Sequence, residues 1–345
     1  MNPINSIRTF LRYILLLATM IAITWVAIPR WLHLDFPSHP GPEFDRRARK
    51  SYATRLVDEQ SDIAMLGDST LMDGVDPDLL TELTGKKVSS FHIPGSSSAL
   101  WYVIIKNNIV VAEHRPQAVV VIFRDTMLTA PGYRVHGGYF VKLDEFATTQ
   151  EPVLLERAYL NEMSQLEIWS EGYFPLYSAR DDIRKIIDSR IRYSLAGWLD
   201  CDIKCTDDSM YAVFTSADLE PGQLRNAVAA AEQYLYTPAQ LDFKRQVDKS
   251  FLPEMIRLTK ERGIQLIVVR IKNQMAGTGN SETPAIRRYI ADLSDYLDEQ
   301  GVTFLDYGRD PRLGNEYFKD VLHLNPEGEI VFTEILAEQL NEVLK

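Results

Sequence analysis

The chain has 345 residues, 46% of them apolar-type, enough to bury a core in one large domain with an insertion or in two smaller ones. Its formal charge of −11 argues against a general nucleic-acid binder, because a polyanion would be repelled; Arg46, Arg47, Arg49 and Lys50 form the one short basic cluster. The histidines (His33, His39, His92, His114, His136, His323) are scattered without an HExxH or comparable spacing, so neither a metal site nor a cofactor is indicated.

From Tyr13 to Ile28 the chain reads YILLLATMIAITWVAI, without a charge. This is slightly short of the roughly 20 residues that span a bilayer, but Arg12 and Arg30 can snorkel and Trp31 can sit at the interface. No small-x-small cleavage site follows, which favours an uncleaved signal anchor over residues 13–32 against a cleaved signal peptide. Basic residues on both sides leave orientation open; the short tail, residues 1–12, favours a cytoplasmic N-terminus and a soluble part facing the periplasm or exterior. The expectation is a single-pass inner-membrane protein. Pro37, Pro40, Gly41 and Pro42 make a stiff, irregular connector within a linker of residues 33–60.

The soluble part, residues 61–345, alternates strand-like and helix-like runs. Ile63–Leu66 and Lys87–Ile93 read as strands, Ser97–Glu113 as a buried crossover helix, and Ala118–Phe123 (AVVVIF) as a strand covered on both sides. Later come a strand at Ile264–Ile271, a helix opened by Thr283 and Pro284 and closed near Gly301, a strand at Val302–Tyr307, and a closing helix at Pro326–Leu344 capped by Asn325. Such alternation implies a parallel sheet sandwiched by helices.

Between about residues 124 and 248 the alternation stops. That stretch, rich in aromatic and charged residues such as Trp169, Tyr173 and Trp198, reads as a mainly helical insertion at the end of the third strand, where it could wall the site. It carries His136 beside Gly137-Gly138, a weak site candidate. It also contains Cys201 and Cys205. With an export signal present, a local disulfide is the favoured reading and two free thiols the alternative; the pair alone is too sparse for zinc.

Two motifs carry chemistry. Gly67-Asp68-Ser69-Thr70 closes the first strand, and Asp320-Val321-Leu322-His323 lies between the last strand and the last helix. A serine hydroxyl needs a base to take its proton as it attacks; histidine serves near neutral pH, and a carboxylate fixes its tautomer. Ser69, His323 and Asp320 are therefore the candidate nucleophile, base and orienting acid, with Asp68 a structural residue bonding local backbone. Each motif alone is weak, and their placement supplies the specificity.

These blocks resemble those of the SGNH (GDSL-like) hydrolase superfamily, over roughly residues 62–125 and 264–340. The resemblance implies a flavodoxin-like three-layer α/β/α fold and an oxyanion hole made by the N–H groups of Ser69 and Gly95, the latter in His92-Ile93-Pro94-Gly95-Ser96. The third block, Gly-x-Asn-Asp, is missing; Arg124-Asp125-Thr126 stands there, with Arg124 or Thr126 as weak substitutes that bind substrate. This departure and the N-terminal anchor resemble membrane-anchored SGNH proteins of bacterial surface-polymer acylation, among them alginate O-acetyltransferase-like proteins and the D-alanylation protein of lipoteichoic acid synthesis. The resemblance implies O-acetylation of an exopolysaccharide beside a multi-pass membrane-bound O-acyltransferase. A secreted-face esterase or lipase and a non-catalytic polysaccharide-binding assembly subunit are the alternatives.

Overall fold

The structure, a computed structural model, describes residues 3–44, 47–196, 201–206, 233–273, 277–278 and 281–345. Arg46 of the basic cluster and Trp198 lie outside them. The chain divides into two compact units, Met1–Pro42 with Glu162–Pro221, and Glu43–Asn161 with Gly222–Lys345.

The larger unit is built on strands β1 (Ile63–Gly67), β2 (Val88–His92), β3 (Ala118–Phe123), β4 (Gln265–Arg270) and β7 (Thr303–Asp306). Among the described residues they form one parallel sheet in the order β2-β1-β3-β4-β7. A short antiparallel pair, β5 (Gly277–Thr278) and β6 (Ser281–Glu282), stands apart. Side chains alternate between the sheet faces, so each strand feeds two cores. Ala64, Leu66, Val119, Val121, Phe123, Leu266 and Val268 enter one; Ile63, Met65, Val120, Ile122, Ile267 and Val269 enter the other.

Helices cover both faces. On the first lie α2 (Ser51–Glu59), α5 (Ser98–Ile104), α12 (Leu252–Glu261) and α13 (Pro284–Glu299), through Leu56, Trp101, Met255 and Leu293 among others. On the second lie α3 (Ser69–Met72), α4 (Pro77–Thr84) and α14 (Pro326–Val343), through Leu71, Leu80, Phe332 and Leu336. This is a three-layer α/β/α sandwich with flavodoxin-like strand order, whose direction of winding reverses between β1 and β3. Ligand crevices in such sheets open at that point, beyond the carboxyl ends of the strands.

The capping signals read in the sequence act as expected. Thr283 Oγ1 accepts the Ile286 N–H and Asn325 Oδ1 the Gly328 N–H, each with proline as the next residue. Asp76 does the same for α4, accepting from Asp78 N (2.9 Å) and Leu79 N (3.1 Å). Asp76→Ala is expected to lower stability by about 1 kcal/mol, read as a lower urea midpoint with unchanged slope.

Several bounds differ from the sequence reading. The crossover helix is not continuous over Ser97–Glu113: after α5 it widens into a π turn at Ile105–Ile109. There the buried Asn107 donates to Phe146 O and Glu151 Oε1 (both 2.8 Å), and Asn108 Oδ1 accepts Ala53 N–H. Polar side chains bonded to other elements interrupt what apolar spacing made look regular. Residues 51–59 of the expected linker are α2, whose Tyr52 ring stacks on Phe91. In the 124–248 stretch, α6 (Gly138–Phe146), α7 (Pro152–Ala158) and α11 (Phe243–Gln246) belong to the larger unit. Residues 197–200 and 207–232 of that stretch lie outside the described residues.

The smaller unit contains α1 (Pro3–Leu32), α8 (Gln165–Tyr173), α9 (Pro175–Ser178) and α10 (Arg180–Ala196). Over Ile7–Leu32, α1 is long and apolar enough to cross a membrane, with a mean hydropathy of 2.0. It packs against α9, and the connector is tied to α8 by Ser38 N–H to Gly172 O (3.2 Å) and Gly41 N–H to Glu171 Oε2 (2.8 Å). Cys201 and Cys205 are joined by a disulfide.

Candidate active site

β1 ends at Gly67, where the next turn comes too close for a side chain: a Cβ there would lie 2.6 Å from Leu71 Cβ. Asp68, extended and buried, caps α3 by accepting from Thr70 N–H (2.8 Å) and Thr70 Oγ1 (2.7 Å). Ser69 becomes the first residue of α3, partly exposed above the carboxyl edge of the sheet.

The second motif approaches from the far end of the chain. A bridge between Phe318 and Leu324, with Lys319 N–H donating to His323 O (3.0 Å), folds residues 318–324 into a tight loop. Inside it Asp320 Oδ1 accepts the N–H of Leu322 (2.8 Å) and of His323 (2.9 Å). His323 Nδ1 lies 2.8 Å from Asp320 Oδ2, and its Nε2 lies 2.8 Å from Ser69 Oγ. A carboxylate only accepts, so Nδ1 carries the hydrogen, and in its neutral form the ring turns its Nε2 lone pair to the serine hydroxyl. Lys319 Nζ on Asp73 Oδ1 (2.9 Å) ties this loop to the residue just past α3.

Partial burial works to raise the Asp320 pKa. The Leu322 N–H, the His323 ring and the His323 N–H outweigh it, holding the carboxyl below its ordinary value. A group whose folded pKa is depressed stabilises the fold above its unfolded pKa and loses that contribution as pH falls through the folded one. Wild type is therefore expected to exceed Asp320→Asn in urea stability at pH 7. The gap should close on acidification below about pH 4, near the ordinary aspartate value. A gap that widens in acid would contradict this assignment.

His92 is level with Gly67 in the β1–β2 ladder. Its Nδ1 faces Ser90 Oγ at 3.2 Å; partial burial and Arg55 hold its pKa below the usual value, with Asp73 opposing.

Gly95 stands on the loop after β2, which is locked onto the serine block: Ile93 N–H and Ser96 Oγ both donate to Gly67 O (3.1 and 3.0 Å), and Trp101 Nε1 donates to Ser96 Oγ (2.9 Å). At φ +74°, and with a Cβ position only 2.6 Å from Tyr139 Cε1, this site admits glycine alone without strain.

The two weak substrate candidates, Arg124 and Thr126, lie in the interior. Arg124 is 1% exposed; it faces Asp125 Oδ2 from Nη1 at 3.2 Å and Asp68 Oδ2 from Nε at 3.9 Å. Thr126 is fully buried and donates to Leu235 O (2.7 Å). Both side chains make their contacts within the interior. Between them Asp125, at φ +50°, also accepts from Asn273 Nδ2 (3.0 Å) and Tyr236 Oη (2.9 Å). Sequence reading missed Asn273, Tyr236, Asp73 and Lys319, which stand in no motif and become neighbours only through the fold. His136 packs edge-on against Tyr159 and does not enter the serine–histidine–aspartate array.

No sequence profile of a known family and no curated protein matches the chain. Among solved structures it is similar to a candidate acylhydrolase from Bacteroides fragilis (12% identity, 86% of this chain and 96% of that one, TM-score 0.39). It is also similar to a GDSL-like lipase from Bacteroides thetaiotaomicron (12%, 86% and 100%, TM-score 0.36) and to a candidate arylesterase from Agrobacterium tumefaciens (14%, 81% and 98%, TM-score 0.33). At this identity the likeness concerns fold, and the reading of the site rests on its own geometry.

Proposed function

We propose that the chain is a membrane-anchored, extracytoplasmic serine acyl-transfer enzyme that places acetyl groups on a cell-surface or secreted polysaccharide through an acyl-Ser69 intermediate. The observation that carries this reading is the relay Ser69 Oγ–His323 Nε2, His323 Nδ1–Asp320, drawn together from 254 residues apart. The apolar α1 supports the anchor, and the disulfide supports an oxidising compartment.

Ser69 Oγ attacks the acyl carbonyl carbon while His323 Nε2 takes its proton, and Asp320 stabilises the imidazolium. The oxyanion is held by the Ser69 and Gly95 N–H groups, each such donor contributing about 3–4 kcal/mol. His323 then gives its proton to the leaving group, and acyl-Ser69 remains. A sugar hydroxyl attacks this ester as His323 takes its proton, and His323 returns that proton to Ser69 Oγ as the acyl–oxygen bond breaks. A multi-pass O-acyltransferase in the same membrane would deliver the acyl group. A persisting relay disfavours a non-catalytic subunit, which needs no aligned imidazole.

The test uses the full chain in nanodiscs with p-nitrophenyl acetate and neutral or uronate oligosaccharides. Mass spectrometry is expected to find an acetyl group on Ser69 and then on an oligosaccharide. Free acetate as the sole product with every acceptor would make the protein an esterase. Absence of any acetyl-Ser69 or turnover would remove the enzymatic reading.

A further inference from the structure

The smaller unit leaves apolar side chains in the open. On α8, Leu166, Trp169 and Tyr173 recur at spacings of three and four and are all exposed, Trp169 at 54% with its ring stacked on Tyr173. On α10, Ile183, Ile187 and Ile191 recur every four residues and line a shallow groove with Leu176 of α9; Ile187 and Ile191 are 52% and 63% exposed. Stripes of this kind on a soluble surface mark a docking face.

Three observations say what covers it. The first is proximity to α1, which packs against α9, while Ser38, six residues past the end of α1, bonds Gly172. Six residues reach at most about 20 Å, so the last turn of α8 lies close to where the span ends. The second is composition: Trp and Tyr with aliphatic side chains are the set that partitions at the headgroup level. The third is charge. In a chain of net −11, α8–α10 balance five basic residues against five acidic ones; Arg184 lines the isoleucine groove beside Asp188, and Arg180, paired with Glu171, closes its other end. Basic side chains beside an apolar stripe suit anionic headgroups.

We propose that α8–α10 form an interfacial platform that lies on the anionic bilayer surface from which α1 emerges. This rests on reading α1 as a membrane span. The platform removes the exposed apolar side chains from water and holds the smaller unit down on the lipid by a second attachment.

The full chain would be reconstituted in vesicles of phosphatidylcholine with phosphatidylglycerol, with its disulfide intact. Nitroxides would be attached at Ile187→Cys, Ile191→Cys, Lys185→Cys and, within α1, Leu15→Cys, positions that are all exposed. Power saturation with oxygen and a nickel chelate reads depth. Labels at 187 and 191 are expected about 5–10 Å below the headgroups, with the label at 185 in water. Omitting phosphatidylglycerol should shift 187 and 191 toward water. If 187 and 191 read as water while 15 reads as lipid, the platform is overturned and the span stands. If 15 also reads as water, the span reading fails and takes the platform with it. If 187 and 191 are shielded from both reagents, a protein covers the face and the lipid platform is overturned.

Discussion

Ser69→Ala is expected to lower kcat on p-nitrophenyl acetate by about 10⁴–10⁶-fold, with KM little changed and the fold intact. A 10⁴-fold loss corresponds to about 5.5 kcal/mol of transition-state stabilisation, far more than any single hydrogen bond around the site provides. The substitution removes one oxygen from a partly exposed position at the start of α3, where Asp68 still caps the helix through Thr70, so thermal stability should hardly move. His323→Ala should cost about as much, because an unassisted hydroxyl is a poor nucleophile. The double variant should be no slower than either single one, since residues acting as a unit are not additive. Turnover by Ser69→Ala within about tenfold of wild type would place the chemistry elsewhere.

What the sequence made legible were features whose cause is local. β3 announces itself because AVVVIF is buried on both faces, and Thr283-Pro284 and Asn325-Pro326 because a cap needs only its own next turn. Ser69 and His323 were legible for a different reason. Each sits where a strand hands over to a helix, and the parallel sheet brings such places to one edge. Features caused at long range were hidden. Lys319 meets Asp73 across 246 positions, and Asp125 gathers Tyr236 and Asn273 from two later segments. Arg124 looked like a substrate ligand because it stands where the third block's asparagine is missing, but its neighbours Asp68 and Asp125 claim it. α2 escaped notice because its nine residues are too few for apolar spacing to stand out from a polar connector.

That buried cluster yields the second large effect. Arg124→Met is expected to destabilise the larger unit by about 3–5 kcal/mol, lowering its thermal midpoint by roughly 6–20 °C. The side chain stands between the carboxyl groups of Asp68 and Asp125, and all three are almost wholly buried. Methionine fills much of the volume but leaves two carboxylates in a low-dielectric interior without the cation between them, and that loss exceeds the loss of packing. Asp125→Asn in the same background should recover part of the stability, because one of the stranded charges is then gone. Arg124→Lys should fall between, since an ammonium keeps the charge but not the planar fork that faces both carboxylates. The damage should also reach Ser69: Asp68 sets the Thr70 hydrogen bonds that fix the first turn of α3, so the surviving folded fraction should show reduced kcat with KM nearly unchanged. A midpoint within about 2 °C of wild type would mean that the guanidinium does not hold these carboxylates.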